Sequence, residues 1–238
     1  MKSCFYSLDP DHQIYPIRGL LGYFHLLHDA SRREAVLVDA GFTGEFWLLE
    51  RMLQKIGLGW RDIRAVLLTH GHLDHTGHLS RIKQLSGATI CAHPAEQPHI
   101  NGTFSYRGAS RVCGALEACG RVLLRYHPVT IDQHLESGMD LPYWGGLRVI
   151  HLPGHTDGHC GFLSRRFDLL FSGDLFASYG IFTHLPPPIL NSCPQHFPIS
   201  LDRVSELSPR RIIPNHYFGF NGEMHRRKFD ALRERQQK

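Results

Sequence analysis

No stretch of the 238-residue chain reaches the 18 consecutive apolar residues that a membrane-spanning helix requires. The N-terminal run MKSCFYSLDPDHQIYP lacks the apolar centre of a secretory signal. Both absences lead us to expect a cytoplasmic protein with no membrane partner. There is no CxxC pair among the six cysteines, Cys4, Cys91, Cys113, Cys119, Cys160 and Cys193, so the thiols read as mostly reduced. Long basic runs are missing too, and the net charge is only +4, which argues against a nucleic-acid partner. Linkers, low-complexity tracts and copied motifs are absent, and the reading is a single domain over residues 1–238. What the chain does have is histidine, 18 in all, often beside glycine or aspartate at the ends of apolar runs.

Residues 22–29 (GYFHLLHD) and 35–39 (AVLVD) read as two strands joined by a polar turn. Phe46, Leu49, Leu53 and Ile56 recur at helical spacing, and Gly57 ends that helix. Residues 63–68 (IRAVLL) predict a strand that runs straight into Thr69-His70-Gly71-His72. A helix follows with Leu79, Ile82 and Leu85 on one face and Gly87 at its end, then a buried strand over 89–92. Further strands are expected at 147–151, 161–164, 169–171 and 211–214, and helices at 201–207 and 223–236. This alternation is the mark of an α/β fold. Each half runs from strands through a histidine-bearing turn to a helix, which suggests a pseudo-duplicated sandwich with the site between the halves.

Two segments resist a regular reading. Residues 102–120 mix glycine, serine, arginine and two cysteines without a clear period, and 102–128 is taken as an insertion or lid. Residues 179–198 carry Pro186, Pro187 and Pro188 and cannot form a central strand or a helix interior. We take them as a substrate loop.

The chemistry concentrates in Thr69-His-Gly-His-Leu-Asp-His75. In extended chain His70 and His72 point to the same side, so two imidazoles can hold one ion on a backbone fixed by a sheet. Asp74 and His75 lie past the turn and can face a second ion. Imidazole suits zinc and iron, and a carboxylate adds a hard oxygen. Three further strand ends carry donors: His151-Leu-Pro-Gly-His-Thr-Asp-Gly-His159, Phe171-Ser-Gly-Asp174 and Ile212-Ile-Pro-Asn-His216. Gly154 permits the sharp turn that presents His155.

The order THxHxDH, PGHTxGH, SGD and a late P-x-H, preceded by LVDAG, resembles the metallo-β-lactamase superfamily from about Gly22 to His216. The resemblance implies an αββα sandwich: two mixed β-sheets packed together with helices outside and metals at one edge. It implies His70, His72 and His155 as ligands of a first metal, Asp74, His75 and His216 of a second, and Asp174 as the bridge between them. Asp39 would orient site residues without binding metal. Two divalent ions, zinc in the first place with iron or manganese tolerated, would share a water, lower its pKa and let the bridged hydroxide attack a carbonyl. Asp74 is also placed to handle a proton.

His159 completes an HTxGH run similar to that of the glyoxalase II branch; a supporting or substrate-contacting role and plain packing stand level there. His78 reads as an exposed helix residue. His25, His28, His93, His99, His127, His134, His184, His196 and His225 have no ligand-like spacing. Cys160 reads as a buried, inert thiol. Cys113 and Cys119 lie close enough in sequence to approach each other, with packing or exposure as the default.

The resemblance leaves the substrate open among small molecules with an ester, thioester or lactone bond. Glyoxalase II-like thioesterases fit HTxGH, but only 22 residues follow His216, too few for a glutathione-binding helical domain. Quorum-quenching lactonases commonly carry a tyrosine three residues after the bridging aspartate, where this chain has Ala177, with Tyr179 nearest. A mononuclear iron persulfide dioxygenase is the alternative from another class, and a binding protein with a degraded site is a third. Phe104, Tyr106, Phe182 and Phe197 are candidate pocket walls, and Tyr217 either orients a substrate oxygen or packs.

Overall fold

Val36 and Val38 point to one face of their strand and Ala35 and Leu37 to the other, as a two-residue repeat demands. Both faces are apolar, so the strand must be covered on both sides, and this sets the layers of the fold. The structure is a computed structural model and describes residues 6–237; Cys4 lies outside them.

The first sheet has seven strands in chain order: β1 (Tyr6–Ser7), β2 (His12–Arg18), β3 (Tyr23–Asp29), β4 (Glu34–Val38), β5 (Ile63–Leu67), β6 (Thr89–Ala92) and β7 (Gln133–His134). The pairs β1–β2, β2–β3 and β3–β4 are antiparallel; β4–β5, β5–β6 and β6–β7 are parallel. The second sheet begins with β8 (Asp140–Leu141), β9 (Leu147–His151), β10 (Cys160–Ser164) and β11 (Leu169–Gly173). A separate hairpin of β12 (Ala177–Tyr179) and β13 (Phe182–His184) follows, and β14 (Arg211–Pro214) returns to pair in parallel with β11. The second sheet thus has the order β14-β11-β10-β9-β8 and is also mixed.

Between the sheets Ile14, Val36, Val38 and Leu67 meet Val149, Phe162, Phe171 and Ile213. The outer face of the first sheet is covered by Leu49 and Leu53 of α1 (Phe46–Ile56) and, past the single turn of α2 (Leu73–Thr76), by Leu79 and Ile82 of α3 (Leu79–Ser86). Two more helices, α4 (Gln97–Asn101) and α5 (Arg111–Leu123), lie near the end of that sheet. On the outer face of the second sheet, α6 (Phe197–Leu207) and α7 (Gly222–Gln236) cover Ile150, Leu163, Leu170 and Ile212. The result is the αββα sandwich. Each fully buried Leu, Ile or Phe of these layers contributes about 1.5–3 kcal/mol of transfer free energy.

Several local readings are corrected. Leu85 is 40% exposed, because six residues of helix rotate it about 120° away from Leu79. His78 is buried: the chain turns between α2 and α3, and its Nε2 accepts a bond from the Glu45 N–H at 3.1 Å. The stretch without a clear period holds the 13-residue helix α5, whose pattern is blurred by Gly114 and Gly120 and by the exposed Leu116 and Val122. In the proline-rich stretch lie the end of the hairpin and single 3₁₀ turns at Pro188–Leu190 and Pro194–His196. α6 starts at Phe197, four residues before the apolar spacing suggests, since Pro198 fits a first helical turn. Pro16 sits inside β2 at a level that β1, paired only to Gln13 and Ile14, no longer reaches, so its missing N–H breaks no ladder.

Candidate metal centre

Strands β4, β5, β9, β11 and β14 all present their carboxyl ends at one edge of the sandwich. Asp39 follows β4, His70 and His72 follow β5, His155 follows β9, Asp174 follows β11, and Asn215 and His216 follow β14. Asp74 and His75 sit in α2, the turn of helix after β5. Two glycines make the tight approaches. Gly154 has φ +149°, and a Cβ there would stand 2.7 Å from the Phe197 ring. Gly173 has φ +54°, and a Cβ would stand 2.6 Å from Nε2 of His159.

All seven sequence-predicted donors converge. The donor atoms of His70, His72 and His155 lie within 4.8 Å of one another, as do those of Asp74, His75 and His216, and those of His70, His75 and Asp174. The rings of the first trio form a near-equilateral triangle, with centroids 4.8, 4.6 and 4.6 Å apart. Asp174 reaches both groups: Oδ1 is 3.5 Å from Nε2 of His75, and Oδ2 is 3.7 Å from Nε2 of His155 and 3.1 Å from Nε2 of His216. Asp74 Oδ2 is 3.5 Å from His75 and 3.6 Å from His216. Donors on a tetrahedral ion at roughly 2.0–2.2 Å stand about 3.4 Å apart, which these separations bracket.

Behind the donors stands a set of orienting contacts. Asp39 takes bonds from the Thr69 N–H at 2.7 Å, from His75 Nδ1 at 2.9 Å and from the side-chain amide of Asn215. Its backbone holds φ +63°, in the left-handed region that aspartate tolerates better than most residues. His155 Nδ1 donates to Asn191 Oδ1 at 2.9 Å, and Asn191 is held in turn by the Pro186 carbonyl. His216 Nδ1 meets the Tyr179 hydroxyl at 3.1 Å. His159 accepts the Asp174 N–H at 3.0 Å through Nε2 and donates to the Leu152 carbonyl through Nδ1, so it supports the backbone of Asp174. Glu96, fully buried, accepts the Gly71 N–H on one oxygen and the Gly158 N–H on the other, at 2.6 and 2.8 Å. It ties the two histidine-bearing loops together.

Charge divides the site in two. Burial, aided by neighbouring imidazoles, pushes His70 and His72 well below the ordinary histidine range, and burial lowers His155 as well. These three are neutral rings with free lone pairs. Burial also disfavours charge on His75 and His216, but Asp74 and Asp174 outweigh it; His75 rises well above its ordinary value and His216 to about 9. Asp174 stays well below the carboxylate range despite burial, because His216 and His75 face it. Among the described residues no lysine or arginine pairs with Asp39, Asp74 or Asp174. Nε2 of His70, Nε2 of His155 and Oδ1 of Asp174 are buried without a protein hydrogen-bond partner. Unpartnered buried donors facing excess negative charge fit divalent cations.

The centre lies at the base of a cavity of about 330 Å³ walled by Leu21, Phe42, Leu73, Cys113, Leu116 and Leu190, with Glu117 among them. None of the four expected wall aromatics lines it. Phe182 is 68% exposed on its hairpin, and Phe197 packs in the core against Gly154. Phe104 and Tyr106 form a neighbouring hollow with His99. His99 itself is buried, stacks on Phe104 at 3.8 Å and stands beside the His72 ring. Tyr217 is a packed aromatic, stacked on Tyr23 at 4.0 Å. Cys113 does not pair with Cys119; its Sγ rests 3.9 Å from His72 Nε2, while Cys119 is exposed. Asn191, Glu96, Glu117 and Cys113 carry no signal in the sequence that would mark them as site residues. Asn215 has one, its place directly before His216.

Residues 22–216 match the family described as the metallo-beta-lactamase superfamily. The chain belongs to this superfamily. It is 28% identical over 176 residues to the hydroxyacylglutathione hydrolase GloC of Haemophilus influenzae, covering 71% of this chain and 73% of that protein. It is 32% identical over 162 residues to a hydroxyacylglutathione hydrolase of Pseudomonas putida, covering 66% of this chain and 48% of that protein. The chain thus spans about half the length of that longer relative. Among solved structures it superposes on TTHA1623, crystallised in a di-iron-bound form, with a TM-score of 0.68 at 27% identity, covering 91% of this chain and 98% of that one. Relatives of this kind are named as hydrolases, and the clustered histidines and aspartates here are able to hold metal ions.

Proposed function

We propose that this superfamily member is a dinuclear hydrolase that cleaves a neutral ester, lactone or thioester, with zinc as the first-choice metal. His70, His72 and His155 would hold one ion and Asp74, His75 and His216 the other, with Asp174 within reach of both groups. The observation that carries this reading is the convergence of seven donors, three of their atoms buried and unpartnered, at the base of an apolar cavity. The di-iron form of a structural relative supports the dinuclear count and keeps iron open as an alternative metal.

Two ions held there would supply Lewis acidity to the carbonyl oxygen and a water of lowered pKa. The chain's own residues do the rest. Asn191, Tyr179 and Asp39 fix the rings of His155, His216 and His75, so ligand geometry needs no rearrangement during reaction. The side chain of Asp74 faces the cavity, takes a proton from the attacking water and returns it to the leaving oxygen or sulfur. Leu21, Phe42, Leu73, Leu116 and Leu190 hold the acyl group and displace water around it.

Outside the metal centre the charged side chain lining the cavity is Glu117, paired with Arg121 at 2.6 Å; among the described lining residues there is no lysine or arginine. A wall of leucines and Phe42 offers no cationic side chain to the carboxylates of a glutathione thioester. That favours an uncharged substrate over the hydroxyacylglutathione named for the curated relatives.

Elemental analysis of protein purified without added metal, with an ester, lactone and thioester panel on the same sample, tests the reading. At least two equivalents of metal per chain and hydrolysis of one class are expected. About one iron per chain, with oxygen consumption on a persulfide and no hydrolysis, would move the protein to the dioxygenase class and overturn the second metal position.

A further inference from the structure

Beyond the histidine-aspartate centre a second set of unlike donors comes together. Asp157, Cys193 and His196 each bring one donor atom, and the three atoms lie within 4.8 Å of one another. Local backbone geometry explains the meeting. Cys193 precedes the 3₁₀ turn Pro194–His196, and the His196 N–H donates to the Cys193 carbonyl at 3.0 Å. In a three-residue turn, side chains at i and i+3 stand one above the other, so the Cys-x-x-His spacing aims sulfur and imidazole the same way. Asp157 comes from the turn between His155 and His159. Two backbone bonds fix it against the proline-rich loop: Ser192 N–H to the His155 carbonyl at 2.8 Å and Cys193 N–H to the Gly154 carbonyl at 3.3 Å.

Cys193 is buried, His196 half-buried and Asp157 exposed, so the donors run from the interior to solvent and leave an ion a way in. One thiolate, one imidazole and one carboxylate form a mixed S/N/O set that suits zinc and its borderline-soft neighbours better than calcium or magnesium. Zn–S near 2.3 Å and Zn–N near 2.0–2.1 Å put donors on a tetrahedral ion about 3.3–3.6 Å apart, within the 4.8 Å that bounds the three atoms here. Water would complete the coordination.

We propose that Asp157, Cys193 and His196 form a further zinc-type site that clips the proline-rich loop to the turn carrying His155. Binding releases the Cys193 thiol proton to solvent and leaves a metal–thiolate bond. The clip holds Asn191, two residues before Cys193, against the ring of His155. This assignment rests on its own three residues and stands whether or not the main centre holds two ions.

Cobalt titration of the metal-free full chain tests it. The main centre offers only nitrogen and oxygen, so a near-ultraviolet thiolate-to-cobalt charge-transfer band reports a cysteine ligand. We expect the band in the parent protein, its loss in Cys193→Ser, and its weakening in Asp157→Asn and His196→Ala. Zinc content should fall by about one equivalent per chain in Cys193→Ser. Cys113, beside His72, is the other thiol near a metal position, so Cys113→Ser must keep the band. No band in the parent, a band lost in Cys113→Ser but kept in Cys193→Ser, or unchanged zinc content in Cys193→Ser overturns the site. Should Cys193→Ser fail to fold, as judged by circular dichroism, His196→Ala decides: an unaltered band at unaltered cobalt affinity overturns the site equally.

Discussion

The hydroxyl of Tyr179 lies 3.1 Å from Nδ1 of His216, so the small β12–β13 hairpin steadies the last histidine of the centre. Tyr179→Phe removes that partner and little else. We expect metal affinity at the Asp74–His75–His216 position to fall by about 10- to 100-fold, with the fold intact and activity restored by excess metal. Chelator-competition titration measures it. Unchanged affinity would mean that the hydroxyl plays no orienting part.

His159 carries a structural load distinct from metal binding. His159→Ala strands the Asp174 N–H and the Leu152 carbonyl in a fully buried place. A loss of about 1–3 kcal/mol is expected for the unmet polar groups alone, read by urea denaturation of metal-free protein. A variant as stable as its parent would show that the bonds are replaced.

Glu96 makes stability depend on pH. Burial pushes its carboxyl from the ordinary 4.5 up to about 7, against the pull of the Gly71 and Gly158 amides. Between those values the folded chain keeps a proton that the unfolded chain has released. This group therefore stabilises the fold most below 4.5, and its contribution declines as pH rises through 7, by about 3 kcal/mol in all. Glu96→Gln removes the titration, so the stability difference between parent and variant should shrink steadily from pH 4.5 to 7. Parallel pH profiles for the two would sink the assignment.

Substrate charge is the test of the cavity. With a wall of leucines, Phe42 and Glu117, a neutral lactone or acyl ester should give a higher kcat/KM than S-lactoylglutathione by about tenfold or more. A preference for the glutathione thioester in the parent enzyme would refute the neutral-substrate reading.

What could be read in the chain, and what could not, follows from the range of the interactions. Apolar periodicity marked α1 at Phe46–Ile56 and β9 at Leu147–His151, because burial on one face or both is written in neighbouring residues. The donors stood out because each sits at the end of a strand beside glycine or aspartate, and their convergence follows once the strand ends share an edge. α5 was not legible, since its side chains bury only Cys113 in the interior and its glycines blur the repeat. The pocket walls were misassigned because aromatic character does not say which way a loop folds; Phe197 turned into the core and Phe182 out to solvent.

The sequence by itself determined the layered α/β fold, the superfamily resemblance and the seven donor residues that the fold brings together at one edge. Those properties depend on local spacing and on residue chemistry. Only the tertiary structure decided that Glu96 joins the loops carrying Gly71 and Gly158, that Asn191 and Tyr179 steer the histidines, and that Asp157 meets Cys193 and His196. Each of these is one contact between distant segments, and a single contact leaves no periodic trace along the chain; it exists only because the packed sheets hold both partners in place.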